Sequence, residues 1–128
     1  MAVILADTDV LIDYLEGVQP AKNRVRDYSL SDCLQTTAVN CFELLSGARE
    51  DRRGDQTRDF VRSVVVLPLD RKSAARAAAL RQKMEGNGSY IGMADSLIAG
   101  IALENGLPLL TRNRKHFERV EGLNLVAT

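Results

Sequence analysis

Residues Val3 to Leu15 read V-I-L-A-D-T-D-V-L-I-D-Y-L, four apolar residues running straight into a carboxylate and then into a helical pattern. The run Val3, Ile4, Leu5 and Ala6 suits a strand buried on both faces, while Leu11, Ile12 and Leu15 recur at helical spacing after it. Asp7 therefore stands at the carboxyl end of a strand, where open parallel sheets bind their ligands. The same position suits a helix cap, a role that Asp7 or Thr8 fills by residue type alone. Both readings stay open at this point.

The chain of 128 residues fits one domain, 1–128, long enough to bury a core without disulfides or a structural metal. Its 17 basic and 17 acidic side chains cancel, which excludes the strongly positive field of a general nucleic-acid binder. Any polyanion must be gripped locally. The two cysteines, Cys33 and Cys41, suit small core hydrophobes, with a disulfide or redox pair as the alternative. No secretory signal precedes the first strand, and no apolar run approaches the roughly 20 residues of a membrane span. A reduced, cytoplasmic protein is expected.

Onward from Leu15, Gly17 marks a stop and Pro20 is placed to open a second helix towards Leu30. A strand is expected at Leu34 to Thr37, then a helix after Asn40 whose Phe42, Leu44, Leu45 and Ala48 supply the apolar face. Glu43 interrupts that face. The charged run Arg49 to Arg58 reads as an exposed turn opening a further helix, tied to the core by Phe60, Val61 and Val64. Val64 to Leu69 suits a third strand, and Asp70 can cap the Ala-rich helix from Arg71 to Glu85, which Gly86-Asn87-Gly88 breaks. A helix from Ile91 to Asn105 places Asp95 near the apolar side formed by Ile98 and Ala102. Strands at Leu109 to Thr111 and Leu123 to Val126 flank R-N-R-K-H-F, read as a basic turn. Alternating strands and helices imply an α/β fold with a parallel sheet covered on both faces.

Asp7, Glu43 and Asp95 share one property: each breaks an apolar stretch of a different element. Acidic residues are rarely buried unless paired, and an arginine or a capping contact would satisfy any one of them. Three in one small domain ask for a common cause. Two carboxylates ~5.5 Å apart at an effective dielectric of ~20 repel by about 3 kcal/mol, so a cluster of them favours a cation. Oxygen ligands select a hard ion, Mg²⁺ or Mn²⁺ rather than zinc.

The motifs fall in a fixed order along nearly the whole chain. Ala6-Asp7-Thr8 ends the first strand, and Glu43-Leu44 is followed shortly by Gly47. Asp95-Ser96-Leu97-Ile98-Ala99 lies in a helix, and Thr111-Arg112-Asn113 precedes Lys115 and Phe117. In this order and spacing they resemble the PIN-domain ribonucleases, and within them the VapC-type toxins of bacterial toxin–antitoxin pairs. The resemblance implies a three-layer α/β/α fold with a central, mainly parallel sheet. It also implies metal-dependent hydrolysis of RNA phosphodiesters by Asp7, Glu43, Asp95 and Asn113. Asp7 and Asp95 would hold the metal, with Glu43 assisting directly or through water, and a cognate VapB-like antitoxin and a homodimer would be its protein partners. Asn113 stands where many PIN nucleases carry a fourth acid. Its amide can hold a carboxylate or a water but adds no charge. Metal-assisted hydrolysis needs no histidine base, and the single histidine, His116, suits a structural role or a phosphate contact. Arg112, Arg114 and Lys115 either position RNA phosphates or form a solvated turn. Asp9 suits a supporting role, and Asp13 the surface.

Two other functions share some of these residues. Asp7-Thr8-Asp9 imitates the D-x-D nucleophile loop of haloacid-dehalogenase-like phosphatases, with Thr111 and Lys115 imitating later motifs. That chemistry asks for a late acidic loop, whereas Asp95 precedes Thr111 and lies in a helix. A PIN-like module that only binds a partner is the non-catalytic alternative. No G-x-S-x-G or Walker loop is present.

Overall fold

A computed structural model describes all 128 residues, Met1 to Thr128. Five parallel strands form one sheet: β1 (Ile4–Ala6), β2 (Leu34–Thr37), β3 (Val65–Leu67), β4 (Leu109–Leu110) and β5 (Leu125–Val126), in the order β3-β2-β1-β4-β5. β1 is central and pairs with β2 through Ile4–Leu34 and with β4 through Leu5–Leu109. The chain builds outward from β1 on one side through β2 and β3, then returns to its other side for β4 and β5. The topological switch therefore falls between β1 and β4, and a crevice opens where strands diverge at their carboxyl ends.

Side-chain alternation along β1 divides the core into two layers. Ile4 and Ala6 face a cluster with Val10 and Leu11 of α1 (Thr8–Glu16), Ala21 and Val25 of α2 (Ala21–Leu30), Leu44 of α3 (Ala38–Gly47) and the partly buried Phe60 of α4 (Arg52–Ser63). Leu5 faces the other way, onto Met84 of α5 (Arg71–Gly86), Ile98 and Ala99 of α6 (Met93–Glu104) and Phe117 of α7 (Arg114–Phe117). Helices cover both faces of the sheet, as the alternation of elements implies. No helix is long and apolar enough to cross a membrane, and both cysteines are buried and free.

Two local expectations change. α3 begins at Ala38 rather than after Asn40, because Thr37 caps it: the Thr37 hydroxyl accepts from the Asn40 N–H at 3.1 Å, and Asn40 Oδ1 accepts from the Thr37 N–H at 3.3 Å. That shift turns Asn40, Cys41 and Leu44 inward, leaving Phe42 70% exposed and Leu45 43% exposed. R-N-R-K-H-F is not a plain turn either, since Arg114–Phe117 coils into α7 with Phe117 fully buried. β3 is the sheet edge, and its Val65 and Val66 are exposed.

α5 and α6 pack backbone to backbone where small side chains meet. A Cβ on Gly100 would lie 2.7 Å from the Ala77 Cβ and 2.9 Å from both the Ala77 nitrogen and the Ser73 carbonyl oxygen. These neighbours are a Cβ and backbone atoms, which cannot swing aside. Helix propensity alone favours Ala over Gly by about 1 kcal/mol, but overpacking a rigid contact costs roughly 1–3 kcal/mol. Gly100→Ala is thus expected to lower stability and the thermal midpoint while leaving the far-ultraviolet spectrum unchanged; a midpoint equal to or above wild type would refute this packing.

Candidate active site

Asp7 follows β1 directly and caps α1, its Oδ1 accepting from the Thr8 N–H at 2.9 Å. The capping and site readings therefore meet in one side chain. Its surroundings exceed what a cap requires, for Asp7 is only 5% exposed. Oδ1 also accepts from Asn40 Nδ2 at 3.1 Å, and Oδ2 accepts from the Thr111 hydroxyl at 2.7 Å. These donors come from α3 and from the end of β4, so Asp7 locks together the three elements around the switch point. No basic side chain pairs with it.

Burial raises the Asp7 carboxyl from 3.8 to about 6, helped by the negative charges of Asp9 and Asp95 and opposed by the hydrogen bonds from Thr111 and Thr8. Asp9 is raised as well, mainly by burial, against the Arg112 N–H that reaches its Oδ1 at 3.4 Å. A buried acid made more basic by its acidic neighbours is a place where positive charge is wanted.

Glu43 reaches the same polar core through an intermediary. The Thr8 hydroxyl donates to Glu43 Oε1 at 2.7 Å and accepts from Asn40 Nδ2 at 2.9 Å. Asn40 thereby braces both Asp7 and the Glu43 arm. Glu43 also borders a cleft of about 360 Å³ between α1, α3 and α4, with Ile12, Leu15 and Leu44 on its walls and Arg49 and Arg53 beside them.

On the other side, Asp95 stands in the first turn of α6. Its Oδ2 lies 3.0 Å from His116 Nδ1 and 3.4 Å from Asn113 Nδ2, and those two nitrogens are 2.9 Å apart. The Asn113 N–H in turn donates to the Thr111 hydroxyl at 3.0 Å. One segment, Thr111 to His116, thus touches both Asp7 and Asp95.

The fold brings Asp7, Asp95 and Asn113 to the carboxyl ends of β1 and β4, with Glu43 joined through Thr8. No three His, Cys, Asp or Glu side chains converge on a single point that could hold a metal ion. The donor chemistry nevertheless suits a hard cation, because Asp7 carries a burial penalty that positive charge would relieve and Asp95 is one of the charges acting on it. Among the basic residues, Arg112 is engaged, its Nε 3.2 Å from Asp13 Oδ2, while Arg114 and Lys115 are exposed and form no ion pair. That pairing revises Asp13, whose side chain is only 14% exposed and anchors Arg112. Sequence reasoning carried Thr8 and Thr111 within its motifs without giving them a role in holding the acids, and it missed Asn40 as a member of the site. The spacing Thr37-x-x-Asn40 ahead of an apolar run was the available signal, since that is the pattern of a reciprocal cap.

The sequence matches the PIN domain family over residues 4–123. Similar proteins include ribonuclease VapC10 of Mycobacterium tuberculosis, 33% identical over 121 residues that cover 94% of this chain and 90% of the relative. Another is the tRNA(fMet)-specific endonuclease VapC of Shigella flexneri, 29% identical over 127 residues, 96% of each chain. Among solved structures, that of VapBC2 from Rickettsia felis bound to a DNA fragment from their promoter aligns with a TM-score of 0.84 over 98% of both chains at 21% identity, a likeness of fold. The chain belongs to the PIN-domain family, among its VapC ribonucleases.

Asp7 makes the metal-free protein sensitive to pH in a defined direction. Below its ordinary value of 3.8 the carboxyl is protonated in both the folded and the unfolded chain, and burial carries no charge penalty. Between 3.8 and about 6 the unfolded chain sheds this proton first, so stability falls as pH rises, and the loss is complete above about 6. A gap of about two pH units amounts to about 3 kcal/mol. In the presence of EDTA, Asp7→Asn is expected to melt well above wild type near pH 7 and to approach it near pH 4. Parallel stability profiles for the two proteins would contradict the buried-charge account.

Proposed function

We propose that the chain is a single PIN-like domain, 1–128, acting as a metal-dependent endoribonuclease, the toxin of a VapBC-type pair, with Asp7, Asp95, Glu43 and Asn113 as its site. The observation that carries the reading is the buried, unpaired Asp7 carboxylate at the switch point, made harder to ionise by Asp9 and Asp95. Asp7 and Asp95 would hold the cation, Mg²⁺ or Mn²⁺, with Glu43 assisting directly or through water. When bound, such an ion supplies an acidified water as nucleophile and neutralises charge gathering on the phosphate.

The chain's own residues do the rest. Thr111, Thr8 and Asn40 fix both oxygens of Asp7 so that the carboxylate need not reorganise when a phosphodiester arrives. Asn113 orders the Asp95 side without adding charge. Arg114 and Lys115, exposed and lying in the chain between Asp95's partners Asn113 and His116, suit contacts to RNA phosphates, which set position rather than sequence. Arg112 joins them only after leaving Asp13.

Several relatives are solved as toxin–antitoxin complexes, including VapBC2 from Rickettsia felis and VapBC from Salmonella typhimurium. A VapB-like antitoxin is accordingly the partner proposed for this chain. An arginine from such a partner would offset the acidic cluster by bidentate bonding to a carboxylate. The exposed Phe42, Leu45 and Met93 give the molecule apolar surface for protein partners, the antitoxin or a second copy in a homodimer. The two free cysteines suit a reducing, cytoplasmic setting. The phosphatase reading is weaker in this structure, because the acid beside Asp7 comes from α6, before β4.

Purified protein incubated with total RNA is expected to cleave it with Mg²⁺ or Mn²⁺ and to stop in EDTA, while leaving a chromogenic phosphate monoester intact. Asp7→Asn and Asp95→Asn are each expected to lose at least about a hundredfold in cleavage, about 3 kcal/mol of barrier, while still melting cooperatively. Undiminished cleavage by either folded variant would rule out this assignment of the site.

A further inference from the structure

We propose that His116 is a positioning residue of this site, its Nδ1–H holding Oδ2 of Asp95 so that the carboxylate presents Oδ1 to the cation. The proposal rests on Asp7 and Asp95 being the cation ligands. Its starting point is a conflict of donors. Asn113 Nδ2 and His116 Nδ1 both lie within reach of the same Asp95 oxygen, at 3.4 and 3.0 Å, yet they are only 2.9 Å from each other. Two nitrogens at that separation cannot both direct a proton at one another. Either Asn113 donates to an unprotonated Nδ1 or an Nδ1–H is directed at Oδ2, and the 3.0 Å contact favours the second, because an unprotonated Nδ1 would set its lone pair against the carboxylate oxygen. Asp95 Oδ1 accepts no hydrogen bond.

The fold gives His116 the rigidity that such a role requires. Its neighbour Phe117 is fully buried between the sheet and α6, and the Phe117 N–H closes back on the Asn113 carbonyl at 3.4 Å. α7 is thereby pinned to the core at one end. At its other end the Asn113 N–H is tied to Thr111, which holds Asp7. A histidine carried on this clamp sets the Asp95 rotamer relative to Asp7. The imidazole is 45% exposed and Asp95 22%, so the carboxylate is the more enclosed member of the pair. A free phosphate-binding histidine would have no need of the Asp95 contact. Groups that orient a ligating carboxylate typically change metal affinity 10–100-fold when removed.

The chain has a single histidine, so ¹⁵N NMR of the imidazole reads this contact without ambiguity. In the intact protein Nδ1 is expected to carry the proton, and Asp95→Ala is expected to move it to Nε2. In parallel, the rise in melting temperature caused by Mg²⁺ alone, without RNA, is expected to shrink in His116→Ala. The Mg²⁺ concentration for half-maximal cleavage should rise about tenfold, with kcat lowered and KM for RNA unchanged. His116→Asn, which can return an N–H near the Nδ1 position, should recover part of both. A neutral imidazole with its proton on Nε2 and none on Nδ1 in the intact protein would overturn the proposal. So would a His116→Ala variant that raises KM for RNA while leaving the Mg²⁺ response intact, the mark of a phosphate contact. Wild-type behaviour of both His116 variants beside an inactive Asp95→Asn would defeat this role alone; cleavage by Asp95→Asn would defeat the underlying site.

Discussion

A carboxylate almost withdrawn from water at the end of the central strand is the constraint around which this molecule is arranged. Three hydrogen bonds hold Asp7, from Thr8 on its own helix, Asn40 on α3 and Thr111 beyond β4. None of these donors is charged, so they satisfy geometry without cancelling the charge. Burial and the nearby Asp9 and Asp95 then push the group up to about 6. Such a site is costly to keep ionised in the protein alone. Coulomb interactions grow in a low-dielectric crevice, so a divalent cation bound at the proposed site would offset part of that cost.

The same constraint explains the polar layer around it. Thr36 donates to the Ala6 carbonyl at 2.8 Å, Thr37 and Asn40 cap α3, and Thr8 links Asn40 to Glu43. All of these groups sit where β1, β2 and β4 end, because there the ladder hydrogen bonds run out and backbone and side chains need other partners. The site is a by-product of terminating a parallel sheet at its switch point, with acidic side chains placed at the ends. Gly100 serves it from a distance, since the close α5–α6 packing fixes the helix whose first turn carries Asp95.

Much of this was legible in the residues. The unbroken apolar run from Val3 to Ala6 announced the buried central strand β1, and Asp70 before an Ala-rich stretch announced α5, whose Ser73 N–H it accepts at 2.9 Å. Asp7, Glu43 and Asp95 stood out because each interrupted an apolar stretch. What periodicity could not show was how a cap sets phase. Moving the start of α3 to Ala38 turned Phe42 outward and Asn40 inward, a change that depends on a reciprocal contact between two side chains. Nor does spacing reveal that Asp13 would hold Arg112, or that His116 would meet Asp95, because the partners are 99 and 21 residues apart in the chain and meet only after the sheet forms. Long-range pairing of polar groups is set by topology, and a single sequence carries little record of it.

The proposed site requires Asp7 to be a desolvated carboxylate whose charge a bound cation would offset. Carboxyl ¹³C NMR of Asp7, followed across pH with and without Mg²⁺, tests it directly. The account predicts a midpoint near 6 in the metal-free protein, moving down when Mg²⁺ is added. A midpoint at the ordinary aspartate value, unmoved by Mg²⁺, would contradict it.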